Sequence, residues 1–310
     1  MRGGGQYPAG TWWVGVVVAL LVCGALPGRA AAAPVGGIRE QARAVAAFGR
    51  SLAFPEADPP GANDWRCALS AQRPRPVVLV HGTWMNAASN WEALSPALRR
   101  AGYCVFALNY GGAWGHPVKG RAPVPDSAVE LEAFVERVLA ATGGERVDLV
   151  GFSQGGGALP RWYLKHGPGK DRVAHLVGIA PSNHGTSMSG LARLADNLGA
   201  MGLVERVAGR AAADQAAGSW LHRALDDGGD TVEGIAYTTI VSRTDLVLTP
   251  YRSQFLTGPR VINHIVQDYC PFVFTGHLGM PYDPIVRHLV LTALDPGSPP
   301  ADGPPPCDTT

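Results

Sequence analysis

Six short apolar segments recur along the chain, separated by polar or glycine-containing stretches. Each is rich in valine, leucine or isoleucine and spans only four to eight residues. Continuous apolar runs of this length are typical of strands buried on both faces, as in a parallel sheet. The predicted strands are residues 76–80, 104–108, 147–150, 173–179, 234–241 and 261–266.

Helical patterns occupy the intervals between these strands. Residues 39–48, 90–100 and 284–294 are predicted helices, and Ser127-x-x-Glu130 has the form of a capping box that predicts another helix beginning at Ser127. The apolar residues behind the box fall on one helical face: Leu131, Val135, Val138 and Leu139. Alternation of strands and helices predicts a mostly parallel central sheet flanked by helices, an α/β fold.

The predicted domain covers residues 34–295. Residues 186–233 contain small and apolar residues without a strand pattern, which predicts an insert of two or three short helices and a candidate lid. Residues 296–310 form a Pro-rich tail. We find no internal repeat.

The first 33 residues have the features of a signal peptide. Arg2 supplies a positive start, residues 12–26 form an apolar run without charge, and Ala31 to Ala33 offer a cleavage site. Secretion is therefore expected; the alternative is a lipoprotein or retained anchor, for which Cys23 would be the lipidated residue.

Composition places the chain among ordinary globular proteins. It is 46% hydrophobic and 16% charged, which excludes a disordered chain. The formal net charge of +1 gives no reason to expect a nucleic-acid partner. We expect a monomer.

Four cysteines remain after removal of the leader: Cys67, Cys104, Cys270 and Cys307. An even set in a secreted chain indicates two disulfides with three possible pairings. We favour Cys67–Cys104 and Cys270–Cys307 because each pair is near in sequence, with free thiols as the alternative. No C-x-x-C accompanies them, so a zinc site is not expected.

Gly151-Phe152-Ser153-Gln154-Gly155 matches G-x-S-x-G. The motif directly follows a predicted strand and opens a predicted helix, which is the setting of a nucleophile elbow. Ser153 is therefore the candidate nucleophile, and Gly151 and Gly155 are expected to permit the sharp turn. Pro160 lies inside the following helix and is expected to kink it.

A serine nucleophile needs a base, and elbows of this kind use the chain order Ser, Asp or Glu, then His. Asp245 follows a predicted strand at the edge where open parallel sheets place their sites. Asp268, which also ends a strand, is the alternative acid. His277 lies in a Gly-rich loop between the last strand and the last helix, so we predict it to be the general base.

Backbone donors are expected to stabilise the oxyanion. The N–H of Gln154 follows the nucleophile, and Thr83 lies in the loop after the first strand. His81 in the same loop is expected to be structural. His184 follows the fourth strand, and we interpret it as a hydrogen-bonded loop residue, with metal binding as the alternative.

The sequence resembles the secreted bacterial triacylglycerol lipases of the lipase class 2 family. The matching segments are Val-Leu-Val-His-Gly-Thr (78–83), residues 102–110, Val-Asp-Leu-Val-Gly-Phe-Ser-Gln-Gly-Gly (147–156), Ala-Pro-Ser-Asn-His-Gly-Thr (180–186), Val-Leu-Thr-Pro-Tyr (247–251) and Gly-His-Leu-Gly (276–279). The resemblance implies an α/β-hydrolase fold, a Ser153–Asp245–His277 triad, secretion and no cofactor. Phe152 stands where such lipases usually carry histidine.

The expected activity is hydrolysis of carboxylic esters, triacylglycerols in particular, at a lipid–water interface. The alternatives are a short-chain carboxylesterase or polyester hydrolase, an acyltransferase, or an inactive binding protein. Candidates for an apolar acyl pocket, each also compatible with a core position, are Trp84, Trp114, Met188, Leu191 and Met201.

Overall fold

The computed structural model describes residues 37–188, 201–295 and Cys307. Its centre is a six-stranded sheet of order β2-β1-β3-β4-β5-β6 in which every neighbouring pair is parallel. The strands are β1 (Val77–Val80), β2 (Val105–Leu108), β3 (Val147–Phe152), β4 (Val173–Ile179), β5 (Ala236–Val241) and β6 (Val261–Ile265). All six predicted strands are confirmed, and their carboxyl ends share one edge of the sheet.

Helices cover both faces of the sheet. The α-helices are α1 (Ile38–Ser51), α2 (Ala87–Trp91), α3 (Leu94–Arg100), α4 (Val124–Thr142), α5 (Ala158–His166), α6 (Gly169–Arg172), α7 (Met201–Ala208), α8 (Arg210–Asp214), α9 (Trp220–Asp226), α10 (Val266–Tyr269) and α11 (Pro284–Leu294). Successive β1 residues point to opposite faces. Val78 and Val80 join the apolar layer under α4 and α5, whereas Val77 and Leu79 join the layer under α2, α3 and α11.

Helix α4 begins three residues before the predicted Ser127, so the capping-box prediction is wrong. Glu130 does not reach back to Ser127 but accepts a hydrogen bond from Gly111 N–H at 3.1 Å. Pro125 suits the first turn of the helix, where its missing N–H is harmless. Asp214 of α8 supplies a cap from the insert, since its Oδ2 accepts from Val124 N–H at 3.1 Å.

The predicted kink at Pro160 is also wrong. After β3 the chain forms a 3₁₀ turn, Ser153–Gly156, and the backbone breaks at Gly157 (φ −130°, ψ −93°) before α5 begins at Ala158. Pro160 therefore lies in the first turn of a new helix, where it interrupts no helical hydrogen bond. The predicted helix 90–100 is likewise two helices, α2 and α3.

Within the described part of the insert, residues 201–226 form the helices α7, α8 and α9. The buried Arg161 of α5 anchors α9, because its guanidinium donates to the Leu225 carbonyl at 3.0 Å. An isolated bridge joins Thr186 to Ala216. The role of the insert as a lid, and the domain limits 34–295, stay predictions.

Two disulfides are present, Cys67–Cys104 and Cys270–Cys307. The first joins the segment before β1 to the start of β2. The second attaches Cys307 of the tail to the segment after α10. The rest of the tail and the predicted signal peptide 1–33 lie outside the described residues. Among the described helices, none combines the length and apolar character needed to cross a membrane.

Buried imidazoles give the fold a predicted pH dependence. Burial lowers the pKa of His81 and of His222 from 6.5 to about 4. The unfolded chain takes up these protons as pH falls through 6.5, whereas the folded chain stays neutral until about pH 4. Stability is therefore complete above pH 6.5 and falls between pH 6.5 and 4. When the pH is lowered from 7.5 to 5, each such imidazole is expected to lower the free energy of unfolding by about 2 kcal/mol.

The free energy of unfolding should fall by about 2 kcal/mol less in His222→Leu than in the wild type when the pH is lowered from 7.5 to 5. Urea unfolding at both pH values measures this difference in the free energy of unfolding. His116→Gln is the control, since His116 is exposed, and should lose as much stability as the wild type. Equal losses in the wild type and His222→Leu would contradict the assignment.

Candidate active site

Ser153 lies at the tip of a sharp turn at the carboxyl end of β3. Its φ is +56°, in the left-handed region that a side chain with a Cβ rarely adopts. Its carbonyl oxygen accepts a hydrogen bond from Ser182 N–H at 3.1 Å, which ties the turn to the segment after β4. The side chain is buried, with 7% of the residue exposed, yet it lies at the edge where the strands end.

The glycines of the motif are required by close packing. A Cβ at Gly151 would lie 1.7 Å from the Gly155 carbonyl oxygen, and a Cβ at Gly155 would lie 2.2 Å from the Val80 carbonyl oxygen. Gly157 is equally constrained, because its Cβ would meet Ser182 N at 2.5 Å. The turn can therefore lie against β1 and the segment after β4 only when these positions carry no side chain.

His277 and Asp245 complete a hydrogen-bonded line with Ser153. The Nε2 atom of His277 lies 3.1 Å from Ser153 Oγ, and Nδ1 lies 2.7 Å from Asp245 Oδ2. All three side chains are buried. The structure thus brings together three residues that are separated by up to 124 positions in the sequence.

The Asp245 carboxylate is held from both sides. Oδ1 accepts hydrogen bonds from the backbone N–H groups of Val247 at 2.8 Å and Leu248 at 2.9 Å. Oδ2 faces His277 and also lies 3.4 Å from Gln254 Nε2. These bonds fix which carboxylate oxygen faces the imidazole, and hence the tautomer with a proton on Nδ1.

His277 begins a short 3₁₀ helix, His277–Tyr282, that packs against α1. A Cβ at Gly276 would lie 2.8 Å from Gln41 Nε2 of α1, while the φ of Gly276 is an ordinary −77°. Gly276 therefore leaves room for the Gln41 side chain, and its backbone conformation is one that any residue adopts. On the other side, the Phe152 ring lies 4.8 Å from the His277 ring, centroid to centroid.

Asp268, the alternative acid, lies elsewhere. Its carboxylate pairs with Arg243 at 2.5 Å, and 55% of its side chain is exposed. Of the two acids, Asp245 is the one whose carboxylate contacts the His277 imidazole.

The loop after β1 lies against the turn Ser153–Gly156. A Cβ at Gly82 would lie 3.1 Å from Ser153 Cβ, so Thr83 is close to the candidate nucleophile. Gln154 follows Ser153 and is fully buried. Sequence reasoning missed Gln215, whose Nε2 donates to Thr83 Oγ1 at 2.7 Å from a position just after α8. Because Thr83 Oγ1 accepts this bond, its own proton stays available for another acceptor.

A model of one protein family, described as lipase (class 2), matches residues 74–261, more than half of the chain. The chain belongs to the class 2 lipase family. The match covers β1 to β5 and the first residue of β6, together with Ser153 and Asp245; His277 lies beyond it.

Curated relatives of this class 2 lipase match a shorter stretch. A triacylglycerol lipase of Pseudarthrobacter phenanthrenivorans and one of Burkholderia plantarii are each 36% identical to it over 87 residues, 26% of this chain. The stretch covers 25% and 23% of those proteins, so the alignment spans only about a quarter of their length.

Solved structures show the same fold at low identity. Aspergillus fumigatus lipase B aligns with 81% of this chain and 57% of its own at a TM-score of 0.60 and 22% identity. The mature form of Bacillus licheniformis lipase BlEst2 aligns with 77% of this chain and 94% of its own, at a TM-score of 0.52 and 17% identity. With its parallel sheet and flanking helices, the class 2 lipase has the α/β-hydrolase fold.

Of the predicted acyl-pocket residues of this class 2 lipase, the structure describes the side chains of Trp84, Trp114 and Met188. Trp84 is partly buried, and its indole N–H donates to the Ala208 carbonyl at 2.6 Å, whereas Trp114 is 86% exposed. Met188 is partly buried at the end of the described segment 37–188. Leu191 and the side chain of Met201 lie outside the described residues.

His184, Asp226 and Asp230 lie together on the insert side of the fold, with potential ligand atoms within 4.8 Å of one another. Arg161 lies 3.5 Å from Asp226 and 3.3 Å from Asp230, so a buried cation already balances these carboxylates. His184 also lies 3.0 Å from the Phe255 carbonyl oxygen. We assign these contacts to the anchoring of α9, and metal binding by His184 gains no support from them.

Proposed function

We propose that this protein is a secreted serine ester hydrolase that cleaves carboxylic esters, triacylglycerols in particular, with Ser153 as nucleophile. The observation that carries the proposal is the line of contacts from Asp245 through His277 to Ser153 Oγ in a class 2 lipase. The triacylglycerol lipases that match part of the chain support the substrate class.

The geometry supports acyl transfer in two steps. Ser153 Oγ attacks the ester carbonyl carbon while His277 Nε2 takes its proton, and Asp245 holds the imidazole and stabilises the imidazolium. The imidazolium then gives the proton to the leaving alcohol, which leaves an acyl-serine. Water attacks this ester with His277 again as base, and the carboxylic acid is released with Ser153 restored.

Negative charge builds on the carbonyl oxygen in both steps, and the backbone N–H groups of Thr83 and Gln154 are the proposed donors to it. The Thr83 hydroxyl is a third candidate donor because Gln215 leaves its proton unused. Preorganised donors of this kind act only where charge develops, and removal of one typically costs roughly 3 kcal/mol of transition-state stabilisation.

The insert is proposed to serve as a lid at a lipid–water interface. Its support is the contact of Gln215 with Thr83, which joins the insert to the loop proposed to hold the oxyanion. Removal of the predicted leader 1–33 is part of the same proposal, and the two disulfides support export to an oxidising compartment. The monomeric state stays a prediction.

A panel of p-nitrophenyl esters from C2 to C16, followed above and below the solubility limit of each, tests the activity and the substrate class. A preference for long chains with a rate increase at the interface supports the lipase assignment; short-chain preference without that increase indicates a carboxylesterase. A fluorophosphonate should label the wild type on Ser153 and leave Ser153→Ala unlabelled. If the wild type showed neither turnover nor labelling, the remaining interpretation would be an inactive binding protein.

A further inference from the structure

One buried tyrosine joins the two segments that carry the proposed oxyanion donors. Tyr110 follows β2 and is 1% exposed. Its hydroxyl donates to the His81 carbonyl oxygen at 2.6 Å, and the Gln154 side-chain amide lies 2.9 Å from the same hydroxyl. Because the hydroxyl has one proton, the amide meets it with its NH₂ group as donor, and that group has no other partner among the described residues. His81 stands two residues before Thr83, and Gln154 directly follows the nucleophile. A single hydroxyl thus links the Thr83 loop to the nucleophile turn.

The His81 ring in turn fixes the next peptide group. It stacks on the Tyr110 ring at 4.3 Å with 15° between the planes, and its Nε2 accepts from Tyr110 N–H at 3.4 Å. Nδ1 therefore carries the proton and donates to the Gly82 carbonyl oxygen at 2.8 Å. Burial lowers the pKa of His81 to about 4, so the ring stays neutral and can accept at Nε2 while it donates from Nδ1.

The orientation of this peptide decides where the Thr83 N–H points. In a trans peptide the carbonyl and the following N–H point in opposite directions. The Gly82 carbonyl is held by His81 and also accepts from Met85 N–H at 3.3 Å. The Thr83 N–H is therefore directed away from the His81 ring, in a loop that touches Ser153.

Tyr110 also acts through its backbone. Its carbonyl accepts from Gly120 N–H at 2.8 Å, and Gly120 has a φ of +66°. A Cβ at Gly120 would lie 3.0 Å from the Gly82 carbonyl oxygen and 3.4 Å from Gln154 Oε1. Tyr110 therefore brings a third segment against both sides of the proposed oxyanion site.

We propose that Tyr110 is a positioning residue whose hydroxyl sets the Thr83 and Gln154 N–H groups at the spacing the oxyanion requires. This inference rests on the proposed function. The hydroxyl contacts neither substrate nor reacting atoms, so it acts through the donors alone. Charge reaches them only in the transition state, so the effect falls on kcat rather than on KM.

Tyr110→Phe keeps the ring that stacks on His81 and removes the bridging hydroxyl. We expect kcat per titrated active site to fall about tenfold, less than the 100-fold or more that follows loss of a whole donor. KM for a soluble ester should stay within about twofold, while the Ki of an alkyl boronic acid, which mimics the tetrahedral intermediate, should rise by the same factor as kcat falls.

Tyr163→Phe is the matched control. Tyr163 is also 1% exposed, and its hydroxyl has no hydrogen-bond partner among the described residues. We expect wild-type kcat, KM and Ki. Gln154→Met is a second variant: it keeps the backbone N–H and removes the other end of the bridge. It should lower kcat as Tyr110→Phe does. The kcat of the double variant should be no lower than that of the less active single variant.

The positioning role is overturned if Tyr110→Phe retains wild-type kcat, if only KM changes, or if the two single losses multiply in the double variant. A fall in melting temperature with unchanged kcat and Ki would likewise reduce Tyr110 to a core residue. Absence of ester turnover and of fluorophosphonate labelling in the wild type is a different result, because it overturns the proposed function and this inference with it.

Discussion

Ser153→Ala is expected to lower kcat for ester hydrolysis by on the order of 10⁵-fold or more, because no other hydroxyl is in contact with His277 Nε2 among the described residues. The fold should persist, since the packing of the turn depends on its glycines. Initial rates with a soluble p-nitrophenyl ester, normalised to folded protein, measure the loss. Residual turnover above about 1% of the wild type would identify another nucleophile.

Ser153→Gly separates chemistry from strain. Glycine adopts a φ of +56° without the steric penalty that serine and alanine carry, which is of order 1 kcal/mol or more. We expect the glycine variant to be as inactive as the alanine variant but to unfold at a higher denaturant concentration. If alanine proved the more stable replacement, the turn would hold no such strain.

The strands and the chemistry at their ends could be predicted from sequence because local patterns encode them. Val173–Ile179 is both the predicted and the observed fourth strand, since a run buried on both faces is apolar throughout. Asp245 could be chosen because parallel strands place their carboxyl ends at one edge, which limits the acids that can reach His277.

Residues that act from a distance could not be predicted. Gln215 lies 132 positions from Thr83, and Tyr110 lies 44 from Gln154. No sequence motif indicates either contact, because each contact depends on how separate segments pack. The capping box at Ser127 failed for the same reason: Glu130 bonds to Gly111, and the cap comes from Asp214 of the insert.

Asp245→Asn is expected to lower kcat by about 10⁴-fold without unfolding the protein, because it places the wrong tautomer at the nucleophile. The Val247 and Leu248 N–H groups donate to Oδ1, so the amide oxygen of asparagine must take that side. The amide NH₂ then faces His277 Nδ1, which has to accept, and the ring proton moves to Nε2. An imidazole protonated on Nε2 cannot take the Ser153 proton.

Asp268→Asn is the matched control, since it removes an exposed carboxylate that pairs with Arg243 and should leave kcat within about twofold of the wild type. Turnover of a soluble ester at pH 8, with circular dichroism to confirm folding, tests both variants. A large loss in Asp268→Asn with an active Asp245→Asn would exchange the roles of the two acids. If only Asp245→Asn loses activity, catalysis depends on the tautomer of the His277 ring. Two backbone N–H groups determine that tautomer, because they fix which side of residue 245 faces the ring.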